Sequence, residues 1–205
     1  RAYVLAQTPM DLARQAGLCE PSLARNDVRV EIEEDAGTFR IEIAARDRVG
    51  LLARTTRVLF ESECSIQQAS ATTWADGSAL ASYNVRAIAA PNVHIVRDRL
   101  VEMLGAPLIA APVPDVELVF DDTSSPWHTR CTATGPDRPG LLHALTAAFA
   151  AAGVSVHSAR ITTDGSRAVD HFELTDPGGA KLDGRTKTRL LEVARHGAVP
   201  RRRRF

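Results

Sequence analysis

The sequence repeats itself, and this repeat constrains the fold more than any other feature. Residues 46–52 read Arg-Asp-Arg-Val-Gly-Leu-Leu, and residues 136–142 read Pro-Asp-Arg-Pro-Gly-Leu-Leu, at an offset of 90 positions. Further matches keep the same offset, namely Ser65-Ile66 with Ser155-Val156 and Thr72-Thr73 with Thr162-Thr163. Several matches in one register indicate a duplicated unit rather than a chance motif. The chain is therefore predicted to hold two related units in tandem.

The periodicity of each unit predicts a ferredoxin-like order of elements. Alternating apolar and polar residues before each motif predict a first strand, and apolar residues three and four apart after it predict a helix. Turns at Asp76-Gly77 and Asp164-Gly165 then predict a hairpin, which a second helix follows. Val116 to Phe120 is predicted as a last strand for the first unit only. The prediction is an α+β protein of tandem βαββαβ units, with antiparallel sheets and helices on one face.

These elements divide the chain into predicted domains. A helix at Pro9 to Leu18 and a strand at Val28 to Ile32 precede the first unit. The predicted divisions are a connector at 1–36, a first domain at 37–121, a linker at 122–127, a second domain at 128–197 and a basic tail at 198–205. The tail contains Arg201 to Arg204. The chain begins at Arg1 rather than Met, which fits a fragment of a longer protein and fits processing equally well.

Composition narrows the classes of function. Among 205 residues, 25 Lys and Arg balance 25 Asp and Glu, so the chain lacks the basic field that non-specific nucleic-acid or membrane binding uses. No apolar run approaches the roughly 20 residues that span a bilayer. The predicted hairpins carry few aromatic residues on which RNA bases could stack. Neither nucleic acid nor membrane is therefore expected as a partner.

The cysteines and histidines give no sign of a metal or catalytic site. Cys19, Cys64 and Cys131 lie far apart, which argues against a disulfide framework or a zinc site and favours the cytoplasm. The six histidines show no His-x-x-x-His spacing, and neither a nucleophile elbow nor a phosphate loop is present. We expect no catalytic residue, no metal and no cofactor in this chain.

The repeated motif suits a small zwitterion. A strand, an Asp-Arg-x-Gly turn and a helix would bring unpaired helix amides to the surface, where they attract a carboxylate. Gly50 and Gly140 would allow close approach, and Asp47 and Asp137 could cap the helix or pair with an ammonium group. The alternative is purely structural: an Asp before a helix is often a cap, and a Gly in a tight turn often serves only the backbone.

Two copies of Asp-Arg-x-Gly-Leu-Leu on ferredoxin-like units resemble the ACT domain family of small-molecule-binding regulatory modules, over about Thr38 to His196. The resemblance implies amino-acid ligands at the turn between the first strand and the helix, often across an interface of two units. The matching residues are Asp47, Arg48, Gly50, Leu51, Asp137, Arg138, Gly140 and Leu141. The chain departs from the family pattern at Val49, where Pro is usual, and in lacking an evident last strand in the second unit.

The order of elements and the segment Asp170 to Asp176 also resemble the carboxy-terminal regulatory region of the uridylyltransferase and uridylyl-removing enzyme family. That resemblance implies glutamine as the ligand, control of a parent enzyme that modifies the PII protein, and parent catalytic domains, PII or a second copy of the chain as partners. Two alternatives stay open. The chain could be a structural or dimerisation module without a ligand, or a self-standing tandem regulator.

Overall fold

The computed structural model describes residues 9–74 and 76–198, and the predicted Arg201 to Arg204 tail lies outside them. The described part forms five helices and nine strands. The helices are α1 (Pro9–Cys19), α2 (Leu51–Glu61), α3 (Val93–Leu104), α4 (Leu141–Ala152) and α5 (Gly184–His196). The strands are β1 (Val28–Asp35), β2 (Thr38–Arg46), β3 (Ser65–Thr73), β4 (Ser78–Arg86), β5 (Glu117–Asp121), β6 (Thr129–Pro136), β7 (Ser155–Arg160), β8 (Thr163–Asp164) and β9 (Arg167–Thr175).

All nine strands belong to one antiparallel sheet. Eight of them follow the order β1-β2-β4-β3-β7-β9-β6-β5, and the short β8 pairs with β9. The α+β class and the tandem ferredoxin-like arrangement predicted from the sequence are confirmed.

The two units join at the β3 and β7 edges. Ala69 lies opposite Ala159 at the centre of this antiparallel pairing, with Gln68 opposite Arg160 on one side and Ser70 opposite Ser158 on the other. Ala69 and Ala159 are themselves partners in the repeat, so the pairing has an approximate two-fold axis through them. A symmetric interface of this kind lets equivalent residues meet one another.

Helices cover one face of the sheet because each strand alternates its side chains. Ile41, Ile43 and Ala45 point from β2 into the core, where they are buried. The helices supply the opposing apolar surface, with Val58 and Leu59 from α2 and residues such as Leu145 and Phe149 from α4. Phe149 meets Phe172 of β9 edge to face, with ring centroids 4.9 Å apart. The core therefore runs without interruption beneath both units.

Helix α1 covers the opposite face of the first unit. Leu18 and Leu23 pack there against Ala44 and Leu80, whose side chains leave the strands on the side away from α2. Glu42 is also buried beneath α1, where it accepts hydrogen bonds from Arg14 at 3.0 Å and Gln15 at 2.9 Å. The repeated helices, α2 with α3 and α4 with α5, thus lie on one face of the sheet as expected. Helix α1 is an additional helix on the other face.

The expectation that Val116 to Phe120 completes the first unit is wrong. The outer edge of β2 is occupied by β1, which the tight turn at Ala36-Gly37 joins to β2 in a local hairpin. Strand β5 pairs instead with β6 and supplies the last strand that the second unit lacks. Residues 105–116 carry the chain across, and the Val113 N–H donates to the Ala194 carbonyl at 2.7 Å.

A cross-link tests this placement of β5. Val119 lies directly opposite Thr132 of β6, so Val119→Cys combined with Thr132→Cys should form a disulfide under mild oxidation, detected by mass spectrometry. The matched control is Val119→Cys combined with Arg40→Cys of β2, which should stay reduced. Cross-linking of the control pair but not the first pair would contradict the structure.

Candidate functional site

The two Asp-Arg-x-Gly turns have the same backbone shape. Gly50 and Gly140 stand immediately before α2 and α4 with φ values of 78° and 79°, a left-handed conformation that glycine adopts without strain. The Leu51 N–H donates to the Arg48 carbonyl at 3.1 Å, and the Leu141 N–H donates to the Arg138 carbonyl at 3.2 Å. No side chain caps either helix, so first-turn amides face outward and favour an anion.

Neither Asp47 nor Asp137 caps its helix, which excludes one of the two roles that the sequence left open for them. Each lies three residues before the capping glycine and instead ties the turn to the hairpin of its own unit. The Asp47 carboxylate accepts a hydrogen bond from the Thr73 hydroxyl at 3.1 Å, and the Asp47 N–H donates to the Gly77 carbonyl at 3.0 Å. The Asp137 N–H donates to the Ser166 carbonyl at 2.9 Å. The two acidic residues are thereby positioned beside the turns.

Different side chains hold the two turns in shape. The second turn has Pro139, whose φ is fixed before folding. The first has Val49, and here Arg54 fulfils the same role by donating to the Val49 and Gly50 carbonyls at 3.3 and 3.2 Å. Arg54 also donates to the Met103 carbonyl at the end of α3, at 2.8 Å. In the repeat, the partner of Arg54 is Ala144, so this clamp belongs to the first unit alone.

The arginines of the motif point toward other partners. Arg48 donates to the Arg25 carbonyl. Arg138 forms a bidentate ion pair with Asp115 at 2.5 and 3.0 Å, and this hydrogen bonding lowers the pKa of Asp115. Both arginines line the rim of a cavity, but their guanidinium groups are already engaged.

Each turn borders a cavity between the two units. The first pocket, about 390 Å³, has the 47–53 turn on one side and residues Ala150 to His157 of the second unit on the other. The second pocket, about 580 Å³, has the 137–143 turn on one side and residues Thr56 to Ile66 of the first unit on the other. Volumes of this size suit small ligands. All eight sequence-predicted site residues line one pocket or the other, in two groups of four.

The approximate two-fold axis exchanges the two pockets. Thr56 and Thr146 are partners in the repeat, and their hydroxyl oxygens lie 3.0 Å apart between the pockets. A Cβ placed on Gly50 would lie 3.4 Å from the Ala150 side chain, and one placed on Gly140 would lie 3.3 Å from the Phe60 ring. Phe60 and Ala150 are also repeat partners. Each unit therefore completes the pocket of the other.

The residues that line the two pockets differ most clearly at Asp170. The side chain of Asp170 is only 1% exposed, borders the second pocket, and lies opposite Ala133 in the β6 and β9 pairing. Its counterpart is Ala81, which lies opposite Ile43 in the β2 and β4 pairing and lines the first pocket. Burial raises the pKa of Asp170 to about 6; the Thr162 N–H, 3.3 Å from Oδ1, opposes this shift, and the charge of Asp137 adds to it.

Histidines add a second difference. His143 donates from Nδ1 to the Ala53 carbonyl at 3.0 Å, which leaves Nε2 as an acceptor in the neutral ring, and burial lowers its pKa. It lines the second pocket. His157 lines the first pocket and lies 2.8 Å from the Thr175 hydroxyl; burial lowers its pKa, and His128 adds to the effect.

Sequence reasoning gave no site role to Asp170, Phe60 or His157. A signal for Asp170 was present, since it occupies the core-facing phase of β9 between Ala168 and Phe172. Phe60 and His157 carry no local signal, because each contributes to the pocket of the other unit. Within the described residues, no group of three His, Cys, Asp or Glu side chains could hold a metal ion, and no helix is long and apolar enough to cross a membrane.

The buried carboxyl of Asp170 should make stability fall as pH rises. Its pKa is raised from 3.8 to about 6 on folding, so the folded state retains a proton that the unfolded state has lost between these values. Asp170→Asn removes this titrating group, and with it the decrease in the free energy of unfolding as pH rises. The variant should gain up to about 3 kcal/mol over wild type at pH 8, and much less at pH 4, in urea unfolding. Parallel pH profiles for the two proteins would contradict this environment for Asp170.

Residues 129–195 match the ACT domain family. The chain is 29% identical to the bifunctional uridylyltransferase/uridylyl-removing enzyme of Rhodospirillum rubrum, over 91% of this chain and 22% of that protein. The proteins of the same name from Gluconobacter oxydans and Methylococcus capsulatus are 31% and 34% identical, each over 72% of this chain and over 18% and 19% of their own length. The chain thus spans about a fifth of the length of these relatives. The chain belongs to the family of these bifunctional uridylyltransferase/uridylyl-removing enzymes, and its second unit matches the ACT domain family directly.

Proposed function

We propose that this chain is an amino-acid-sensing regulatory module that responds to glutamine and controls a uridylyltransferase/uridylyl-removing enzyme acting on the PII protein. The observation that carries the proposal is the construction of the two pockets. Each presents the uncapped first turn of a helix from one unit to the helix end and strand of the other.

The pocket chemistry supports a free amino acid. First-turn amides of α2 and α4 favour a carboxylate, and the acidic residues beside the turns favour an ammonium group. The remaining walls are mostly apolar or uncharged, with Ile66, Ile161 and Phe60 in the second pocket. Such walls can accept the aliphatic part of a side chain. The choice of glutamine as the ligand rests on the family resemblance, since the pocket walls alone suit several amino acids.

A ligand at either pocket would contact both units at once. The two units share one core and one sheet, so a ligand that bridges them contacts both. It shifts their relative arrangement only to the extent that it binds one arrangement more tightly than another. Such a shift could be passed to catalytic domains attached to the chain. This is the physical basis on which we assign a regulatory role, with the parent catalytic domains and PII as proposed partners.

Two further expectations remain proposals. Cytoplasmic location rests on three widely spaced cysteines, all free in the described structure. A homodimer would form through surfaces other than the β3 and β7 edges, because these two strands already pair within one chain. A dimer formed by pairing of sheet edges would therefore use β1 or β5, the outer strands of the sheet.

A thermal-shift panel of the twenty amino acids tests the proposed function. At ten times its Kd, a ligand of the folded state adds about 1.4 kcal/mol, which raises Tm by roughly 3–6 °C for a chain of this size. We expect L-glutamine to produce such a shift in wild type. Ser65→Trp and Ser155→Trp, repeat partners at the starts of β3 and β7, should each fill one pocket, and the double variant should lose the shift.

These serines make better test positions than the turn glycines. Any other residue at position 50 would be strained by the left-handed backbone there. Its side chain would also collide with Leu108, whose Cδ1 would lie 2.0 Å from the new Cβ. Loss of binding would then be confused with loss of structure. No shift with any amino acid, in a protein shown to be folded by circular dichroism, would favour a structural module without a ligand. A shift that survives in the double variant would place the ligand outside both pockets.

A further inference from the structure

The second pocket contains a charge that the first lacks. Asp170 occupies a core-facing position of β9, where its neighbours in phase, Ala168 and Phe172, are apolar and buried. The equivalent position of the first unit is Ala81. The duplicated units therefore differ by a carboxyl group at the wall of one pocket, and this difference is the starting point for assigning them different ligands.

The surrounding protein does little to neutralise Asp170. Among the described residues, its hydrogen-bond partner is the Thr162 N–H at a long 3.3 Å, and none of their ion pairs includes it. The nearest motif arginine, Arg138, is engaged with Asp115. His143 directs its Nδ1 proton to the Ala53 carbonyl. A buried carboxylate without a cationic partner is costly, and positions that keep such a group commonly serve a ligand.

The missing partner matches one end of an amino acid. Asp170 and Asp137 border the same cavity as the first turn of α4, which begins at Leu141. An α-amino acid carries its ammonium and carboxylate groups on one carbon. A ligand whose carboxylate lies at the α4 amides therefore has its ammonium group beside them, in the cavity that Asp170 and Asp137 also border.

We propose that Asp170 is the specificity-determining residue of the second pocket, that it receives the α-ammonium group of the ligand, and that the two pockets consequently differ in what they bind. The proposal rests on the proposed function and assigns its ammonium-selective site to the second pocket. Carboxylic acids that lack an ammonium group gain nothing from Asp170 and bind there only weakly.

The first pocket is less suited to an ammonium group. Ala81 replaces the buried carboxyl. The Asp47 carboxylate already accepts from Thr73, and the Asp176 carboxylate accepts from the Gly178 and Ala180 N–H groups of its own loop at 2.8 and 2.9 Å. His157 and Thr175 contribute a hydrogen-bonding pair. The first pocket should therefore discriminate less between an amino acid and its analogue without the ammonium group.

Isothermal titration calorimetry on the full chain tests this assignment. Ser155→Trp fills the first pocket, so that the second is measured alone. The probes are L-glutamine, or the amino acid that the thermal-shift panel selects in its place, and the same molecule without its α-ammonium group, which for glutamine is glutaramate. In this background, Asp170→Asn should weaken amino-acid binding at least tenfold and leave the weak binding of the analogue unchanged within twofold.

Glu173→Gln is the matched control, because it makes the same carboxylate-to-amide change on the same strand but on the opposite face, beside His128 and Arg130. It should leave binding unchanged within twofold. Urea unfolding checks that each variant is folded, and Asp170→Ala supplies a second variant at the test position.

The outcomes separate the two proposals. If the amino acid binds wild type but Asp170→Asn and Asp170→Ala bind it as tightly as their parent, the role of Asp170 is refuted and the sensing function stands. Loss of all binding in Ser155→Trp alone would place the ammonium site in the first pocket and refute the assignment in the same way. If wild type binds none of the twenty amino acids, the sensing function and the role of Asp170 are refuted together.

Discussion

The pairing of β3 with β7 is the interaction on which the rest of the structure depends. Three residue pairs around Ala69 and Ala159 join the four strands of one half and the five strands of the other into one sheet, and this places α2 beside α4 on the covered face. The threonine hydroxyls of Thr56 and Thr146 then meet near the axis. Because the pairing is antiparallel, the turn of each unit faces the helix end of the other. Both pockets exist only because of this arrangement.

The two units share the backbone geometry of their turns but differ in the side chains around them. The two turns share the same left-handed glycine and the same uncapped helix, so each offers amides to an anion. Around this common frame the units differ: Arg54 clamps one turn and Pro139 sets the other, while Asp170 of the second unit occupies the position that Ala81 occupies in the first. Two pockets built around the same kind of turn thus have walls of different chemistry.

Most of the fold could be predicted because it is encoded locally. Periodicity located the helices and hairpins, and glycine at positions 50 and 140 fixed the turns. The partner of β5 could not be found this way, since it depends on the path of residues 105–116 over the second unit and on β1 having filled the edge of β2. The motif residues that line the pockets could be picked out from their local pattern, whereas Phe60 and His157 line the pocket of the other unit and have no such pattern. Asp170 carried a local signal in its strand phase, but its burial depends on distant elements.

A crystal structure of the chain with L-glutamine tests the central claim, that ligand sites lie between the two units, most directly. The account predicts ligand density in the second pocket, with the carboxylate at the first-turn amides of α4, the ammonium group at Asp170 and the side chain against β3 of the first unit. Density confined to residues of a single unit, or located away from both turns, would contradict it.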